Sequence, residues 1–212
     1  MADLVNAREL FEKKVAESEQ IVASVEALWQ TAPIGSDVRK QITESQLAAL
    51  YEMAFLALFG HWENFIEECM VRMLSGQGCT NYTPVFVAAP RSPTLTAARL
   101  RLLNGRPFLL WYDPVKSADK IAAHVSGSPL ETVLRGSAMH IQNMAAVRHA
   151  IAHQSQDALA SFKAVSLVMV GVEHAGPGAL LRSQDHSDPL NPTRWLRRLT
   201  TDLRGLARSA TS

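Results

Sequence analysis

Residues 43–76 read TESQLAALYEMAFLALFGHWENFIEECMVRMLSG, and this stretch decides the fold class. Leu47, Leu50, Tyr51, Ala54, Phe55, Leu58, Trp62, Phe65, Ile66, Cys69, Met70 and Met73 recur at intervals of three and four. That spacing puts one apolar stripe along a helix of many turns. Thr43 and Gln46 fit a capping box at its start, and Ser75-Gly76 fits its end. Gly60 inside the run costs ~1 kcal/mol against alanine, acceptable where another helix must come close.

The same periodicity extends outward. Leu4, Phe11, Val15, Val22, Val25 and Trp29 predict a long amphipathic helix over residues 1–31, closed by Ala32-Pro33, with Ile34-Gly35-Ser36-Asp37 as a turn. Residues 76–93, rich in Gly, Pro and Thr, read as an irregular connection. A short helix is predicted over Leu95 to Leu103. Phe108 to Tyr112, between Pro107 and Pro114, reads as loop or a brief strand. Ser117 is the expected cap of a helix reaching Val125. Ser128-Pro129-Leu130-Glu131 is a start signal for a helical run to Ala152, interrupted at Gly136-Ser137. Residues 157–170 suit helix or strand, because Phe162, Val165 and Met169 fit a helix while the valines suit a strand; helix is chosen. Gly176-Pro177-Gly178 and Asp188-Pro189 to Pro192 read as breakers. The last helix is predicted over 193–209, with Trp195, Leu196, Leu199, Leu203 and Leu206 on one side. The expectation is one all-α domain over 1–212: a bundle of long antiparallel helices with an N-terminal helix (1–31), a core (43–172) and a basic C-terminal helix (193–209).

The bulk numbers narrow the class. The 212 residues are 47% hydrophobic and 19% charged, a globular balance. No apolar run approaches the ~20 residues of a membrane span. The N-terminal stretch MADLVNARELFEKK has no signal-peptide character, so cytoplasm is the expected compartment. Two cysteines, Cys69 and Cys79, give neither a disulfide framework nor a cysteine-based zinc site. No phosphate-binding glycine loop and no G-x-S-x-G element occurs. No cofactor and no metal is expected.

A net charge of +1 hides an asymmetry. Residues 1–68 hold 12 acids and 5 bases. Residues 69–112 hold no acid and five arginines: Arg72, Arg91, Arg99, Arg101 and Arg106. Arg194, Arg197, Arg198, Arg204 and Arg208 fall along one side of the last helix, and could track a phosphate backbone. Arg194, Arg197 and Arg198 are the candidate RNA-binding residues there. Tyr82, Phe86, Phe108, Trp111 and Tyr112 lie within the acid-free stretch, where aromatics among arginines can stack bases or simply pack. Glu63, Glu67 and Glu68 read as a solvated helix face.

The chemistry-bearing cluster is Arg148-His149-Ala150-Ile151-Ala152-His153, followed by Gln154-Ser155. An imidazole takes or gives a proton near neutral pH, and a guanidinium holds phosphate oxygens as negative charge builds. On a helix, residues five apart lie ~140° out of line. Arg148 and His153 therefore converge only where the helix ends or bends, as Gln154 to Asp157 allow, or where a partner chain completes the site. Two other readings stay open. Arg148 could cap carbonyls while the helix dipole favours His153. His149, His153 and Asp157 could also form a metal-binding stripe if the helix continues, although the glutamate of H-E-x-x-H is missing. Arg135 and His140 repeat the arginine–histidine spacing, but across the break at Gly136.

Val147 to Ser155 resembles the signature of the HEPN superfamily: arginine, a polar residue (most often asparagine), three or more residues, then histidine. His61-Trp62-Glu63-Asn64-Phe65-Ile66-Glu67 resembles the aromatic-plus-glutamate helix of the same proteins. The resemblance implies an all-helical bundle, usually a homodimer. It implies a metal-independent endoribonuclease of the toxin–antitoxin or anti-phage kind, with RNA as substrate and an antitoxin protein as partner. Arg148 and His153 would then be the catalytic pair, with His149 at the second polar position. The alternative it implies is an inactive module that binds a protein partner or nucleotide.

Overall fold

The computed structural model describes residues 3–87, 89–153, 155–187 and 192–212. Among the described residues the chain forms ten helices and two pairs of two-residue antiparallel strands, an all-α fold. In chain order the elements are α1 (Asp3–Thr31), α2 (Asp37–Gln41), α3 (Glu44–Leu74), β1 (Val85–Phe86), α4 (Leu95–Leu103), α5 (Pro114–Ala122) and β2 (Val125–Ser126). There follow α6 (Pro129–Gly136), α7 (Ala138–His153), α8 (Gln156–Val170), α9 (Pro177–Arg182), β3 (Gln184–Asp185), β4 (Thr193–Arg194) and α10 (Trp195–Ala210). No helix among the described residues is long and apolar enough to cross a membrane.

The chain divides into two compact units. The first takes the chain's start to Lys13, His61–Gln142 and Leu203–Ser212. Its centre is aromatic: the Trp62 ring lies 5.5 Å from Phe65 in a near-stacked pair, and Phe11 meets Trp62 edge-on at 6.1 Å. Such pairs add ~0.5–1.5 kcal/mol beyond the area they bury. Met70, Met73, Leu74, Leu102, Trp111, Ile121, Leu130 and Leu134 complete this core. β1 pairs with β2, Val85 opposite Ser126. Glu67 and Glu68, expected on a solvated face, are half-buried and committed. Arg99 donates to Glu67 at 2.6 Å and to Glu68 at 2.9 Å, Arg72 pairs with Glu68, and the Trp111 indole donates to Glu67 at 3.1 Å. The arginines they neutralise sit in the acid-free stretch that follows: Arg72 one turn along α3, and Arg99 about thirty residues on, beyond any local pattern.

The second unit holds Lys14–Gly60 and Asn143–Asp202. Here α1 and α3 run antiparallel: the Trp29 indole donates to the Ile42 carbonyl just before α3, and Tyr51 faces Glu26. Glu26 is only 7% exposed and takes Arg194 at 2.9 Å and Arg182 at 3.4 Å. Arg182 also pairs with Glu44. Arg182 and Arg39 both lie against the Trp29 ring, 4.9 and 3.8 Å from its centre. Burial foremost, then the Glu26 charge, pushes the Tyr51 hydroxyl up to about 12. The start of α9 comes so close to α3 that a Cβ on Gly178 would lie 2.6 Å from the Ala48 carbonyl oxygen.

Several expected boundaries move. The turn at Ile34–Asp37 leads into the short α2, capped by Ser36. The helix expected to start at Ser117 starts at Pro114, because Asp113 caps it through the amides of Val115 and Lys116. Ser117 is buried instead, donating to the Trp111 carbonyl. Pro177, read as part of a breaker, opens α9, where its fixed φ suits a first turn. The last helix starts at Trp195, not at 193, because Thr193 and Arg194 pair with Asp185 and Gln184.

Candidate functional site

The histidine cluster sits at the C-terminal end of α7, within the second unit. Met144, Val147, Ala150 and Ile151 are buried, fixing which side of the helix faces inward. At ~100° per residue, His149 and His153 then fall on the opposite side and Arg148 on the flank. Their accessibility follows: both imidazoles are exposed and Arg148 is half-buried.

α7 stops at His153, the position where the arginine–histidine spacing required an end or bend. Ser155 enforces the restart, its hydroxyl accepting the Ala158 amide at 3.2 Å as the N-cap of α8. Gln154, part of the expected bend, lies outside the described residues. Because the helix does not continue, His149, His153 and Asp157 do not share one helical stripe, and the metal reading loses its geometric basis.

The two residues the fold brings together are His149 and His153, one turn apart, with ring centres 4.3 Å from each other and planes inclined at 50°. Arg148 forms no ion pair or side-chain hydrogen bond with any described residue, so its guanidinium is uncommitted. No hydrogen bond joins Arg148 to His153 within the chain. Chemically, the helix end presents two adjacent imidazoles with a permanent cation one residue from the first.

The arginines of the last segment divide. Arg194 is not a free cation: it pairs with Glu26 and donates to the Arg182 carbonyl at 2.7 Å. Arg198 pairs with Asp202 at 3.2 Å and stands 3.9 Å from Asp185. Arg197 is exposed. Arg208 pairs with Glu12. The basic row is therefore largely neutralised, by Glu26 and Glu12 from far back in the chain and by Asp202 one turn along α10.

One feature escaped the reading of the sequence altogether. A cavity of about 560 Å³ in the second unit is lined by Met169, His174, Asp185, His186 and Trp195 among others. Its polar groups are mostly occupied by local structure. The Ser166 hydroxyl donates to the Val172 carbonyl and lies 3.0 Å from His174 Nδ1, while Asp185 accepts the amide and hydroxyl of Ser187. Nothing in the breakers read at Gly176-Pro177-Gly178 and at Asp188-Pro189 to Pro192 signals a cavity, and residues 188–191 of the second lie outside the described residues.

No family model, no curated protein and no solved structure matches this chain.

Proposed function

We propose that the chain is a metal-independent endoribonuclease of the HEPN type, a toxin of a toxin–antitoxin or anti-phage system. The observation that carries the reading is the exposed His149–His153 pair, 4.3 Å between ring centres, beside an uncommitted Arg148 at a helix end. One imidazole removes the proton of a ribose 2′-hydroxyl, whose oxygen attacks the adjacent phosphorus. The bond to the 5′-oxygen breaks, and the other imidazole protonates that leaving oxygen, giving a 2′,3′-cyclic phosphate and a 5′-hydroxyl. Arg148 stabilises the charge gathering on the phosphate oxygens. Because Arg148 and His153 lie ~140° apart on one helix, a two-fold homodimer is part of the proposal, each copy offering its guanidinium to the other's imidazoles.

The test uses single-stranded RNA with a chelator present, and its readout is the cyclic phosphate end. Arg148→Ala and His153→Ala are expected to lose at least ~100-fold in cleavage rate with unchanged helical circular dichroism. His149→Ala is expected to lose rate as well. Equal cleavage by all three variants and the wild type, or cutting of a substrate lacking the 2′-hydroxyl, would overturn the reading. A second reading, a non-catalytic module, is favoured by the missing Arg148–His153 contact within one chain; it requires that the wild type cut no RNA.

A further inference from the structure

The chain between α4 and α5 carries a second surface that the catalytic reading leaves unused. Phe108, Leu110 and Tyr112 are 66%, 58% and 40% exposed, while Leu109 between them is half-buried and Trp111 is 1% exposed. This alternation is that of extended backbone, in which every second side chain shares a side. The inward residue is held firmly: the Trp111 indole donates to Glu67 at 3.1 Å, and its carbonyl accepts the Ser117 hydroxyl. The outward row therefore stands on a fixed base, not on a loose loop.

Two cations flank the row in the chain: Arg106 stands two residues before Phe108, and Lys120 follows in α5, reaching the inward Trp111. Lys120 Nζ lies 4.6 Å from the centre of the Trp111 ring. Arg106 is exposed, and neither it nor Lys120 reaches a described carboxylate within ion-pair distance. Arg101 is spent on carbonyls, donating to Pro90 at 2.7 Å and Ala89 at 3.4 Å, so its charge is not neutralised. These groups also feel one another: burial, then Arg106, lowers the proton affinity of Lys120, and burial, then Arg101 and Lys120, lowers that of His124. Glu67, which alone opposes this at Lys120, is already held by Arg99 and Trp111. Exposed rings beside uncompensated positive charge fit a ligand with flat faces and a polyanionic backbone.

We propose that Phe108 and Tyr112 form a stacking platform for single-stranded RNA, with Arg106 and Lys120 holding its phosphates. The identity of the ligand rests on the ribonuclease reading, while the surface lies wholly within the first unit. Single-stranded chains are bound in this way irrespective of sequence, since every base has a face to stack. An anionic membrane is the weaker fit. Three side chains on an extended segment offer no amphipathic helix to insert, and two cations add only ~1 kcal/mol each at a lipid surface.

The test is fluorescence anisotropy of the full chain with a labelled oligouridine whose riboses are 2′-O-methylated, so that binding is read without cleavage. Phe108→Ala and Tyr112→Ala are each expected to weaken binding at least about fivefold. Arg106→Gln is expected to shallow the slope of log affinity against log salt by about one. Thermal melts that match the wild type show that these exposed substitutions leave the fold intact. Wild-type affinity in the Phe108→Ala/Tyr112→Ala double variant, or no binding by the wild type, overturns the platform. So does cosedimentation with phosphatidylserine vesicles that the double variant loses while RNA binding is unchanged. Ring-dependent binding in a protein that cuts no RNA would leave this inference standing and remove the catalytic one.

Discussion

Glu26 should be the most costly carboxylate in the second unit to remove. It is 7% exposed and faces two guanidiniums, Arg194 at 2.9 Å and Arg182 at 3.4 Å, and it also accepts from Gln30 at 2.9 Å. Glu26→Ala leaves Arg194 with an unmet charge in a poorly solvated place and Arg182 with Glu44 alone. Breaking a buried pair this way costs ~3–5 kcal/mol. Arg194 keeps 32% of its side-chain exposure, so water recovers part of the loss, and the lower end, ~3 kcal/mol, is the expected value. For a chain of this size each kcal/mol moves the melting temperature by ~2–4 °C, giving a fall of ~6–12 °C. Circular dichroism melts of wild type, Glu26→Ala, Arg194→Ala and the double variant measure it. The double variant should fall by clearly less than the two singles added, since both remove one interaction. A Glu26→Ala melt within about 2 °C of wild type would refute the argument, because the network would then be an exposed pair of the usual small value.

Two further perturbations read the fold directly. Gly178→Ala should lower the melting temperature, at ~1–3 kcal/mol for an overpacked contact, since the new Cβ would lie 2.6 Å from the Ala48 carbonyl oxygen. Gly205→Ala, in α10 with nothing within 4 Å of the added Cβ, should stabilise by ~0.5–1 kcal/mol; a Gly178→Ala melt at or above that of the wild type contradicts the packing of α9 on α3. His124 has a buried Nδ1 with no partner among the described residues, and burial, then Arg101 and Lys120, lowers its pKa below the ordinary imidazole value. Between the lowered and the ordinary value the unfolded chain binds the extra proton. Stability is therefore fully present above about pH 6.5 and declines as the pH falls through the window below it, by at most ~1.4 kcal/mol per unit. Urea denaturation at pH 7.5 and pH 5 should show a smaller decline in His124→Gln than in the wild type, and equal declines would exclude the effect.

What could be read in advance was local. Thr43 and Gln46 satisfy each other's amides at 3.3 and 2.8 Å, as a capping box requires, and Gly76 ends α3 with a φ of 84°. Residues 156–170 form the helix chosen over a strand, closed by Gly171 at a φ of 76°. The interruption at Gly136-Ser137 separates α6 from α7. The misread boundaries depend on choices between neighbouring caps or on distant partners. Asp113 outcompetes Ser117 because a carboxylate accepts two amides at once. Arg194 leaves the helix pattern because its backbone pairs with Gln184, while its side chain reaches Glu26 far back in the chain. At the site, helical spacing was enough to bring His149 to His153, while the end of α7 at His153 goes with the Ser155 cap that starts α8. It could not tell that Arg148 would be left uncommitted, since that depends on which acids pack nearby.

The charge pattern carries the larger lesson for function. Counting arginines along the sequence pointed to the last helix as the place for a polyanion. Counting carboxylates within ion-pair distance moves the excess elsewhere. Glu26 holds Arg194, Asp202 holds Arg198 and Glu12 holds Arg208, so a phosphate approaching any of these three must displace a carboxylate that is already in place, and only Arg197 of the candidate trio stands exposed without one among the described residues. A displaced pair returns little net energy, because the attraction gained replaces an attraction lost. Arg106 and Lys120 have no such competitor among the described residues, and the exposed Phe108 and Tyr112 lie between them in the chain. If the chain binds RNA, reversing charge at Arg106 should therefore weaken it more than reversing charge at Arg198. The opposite order would mean that the α10 ion pairs open in solution.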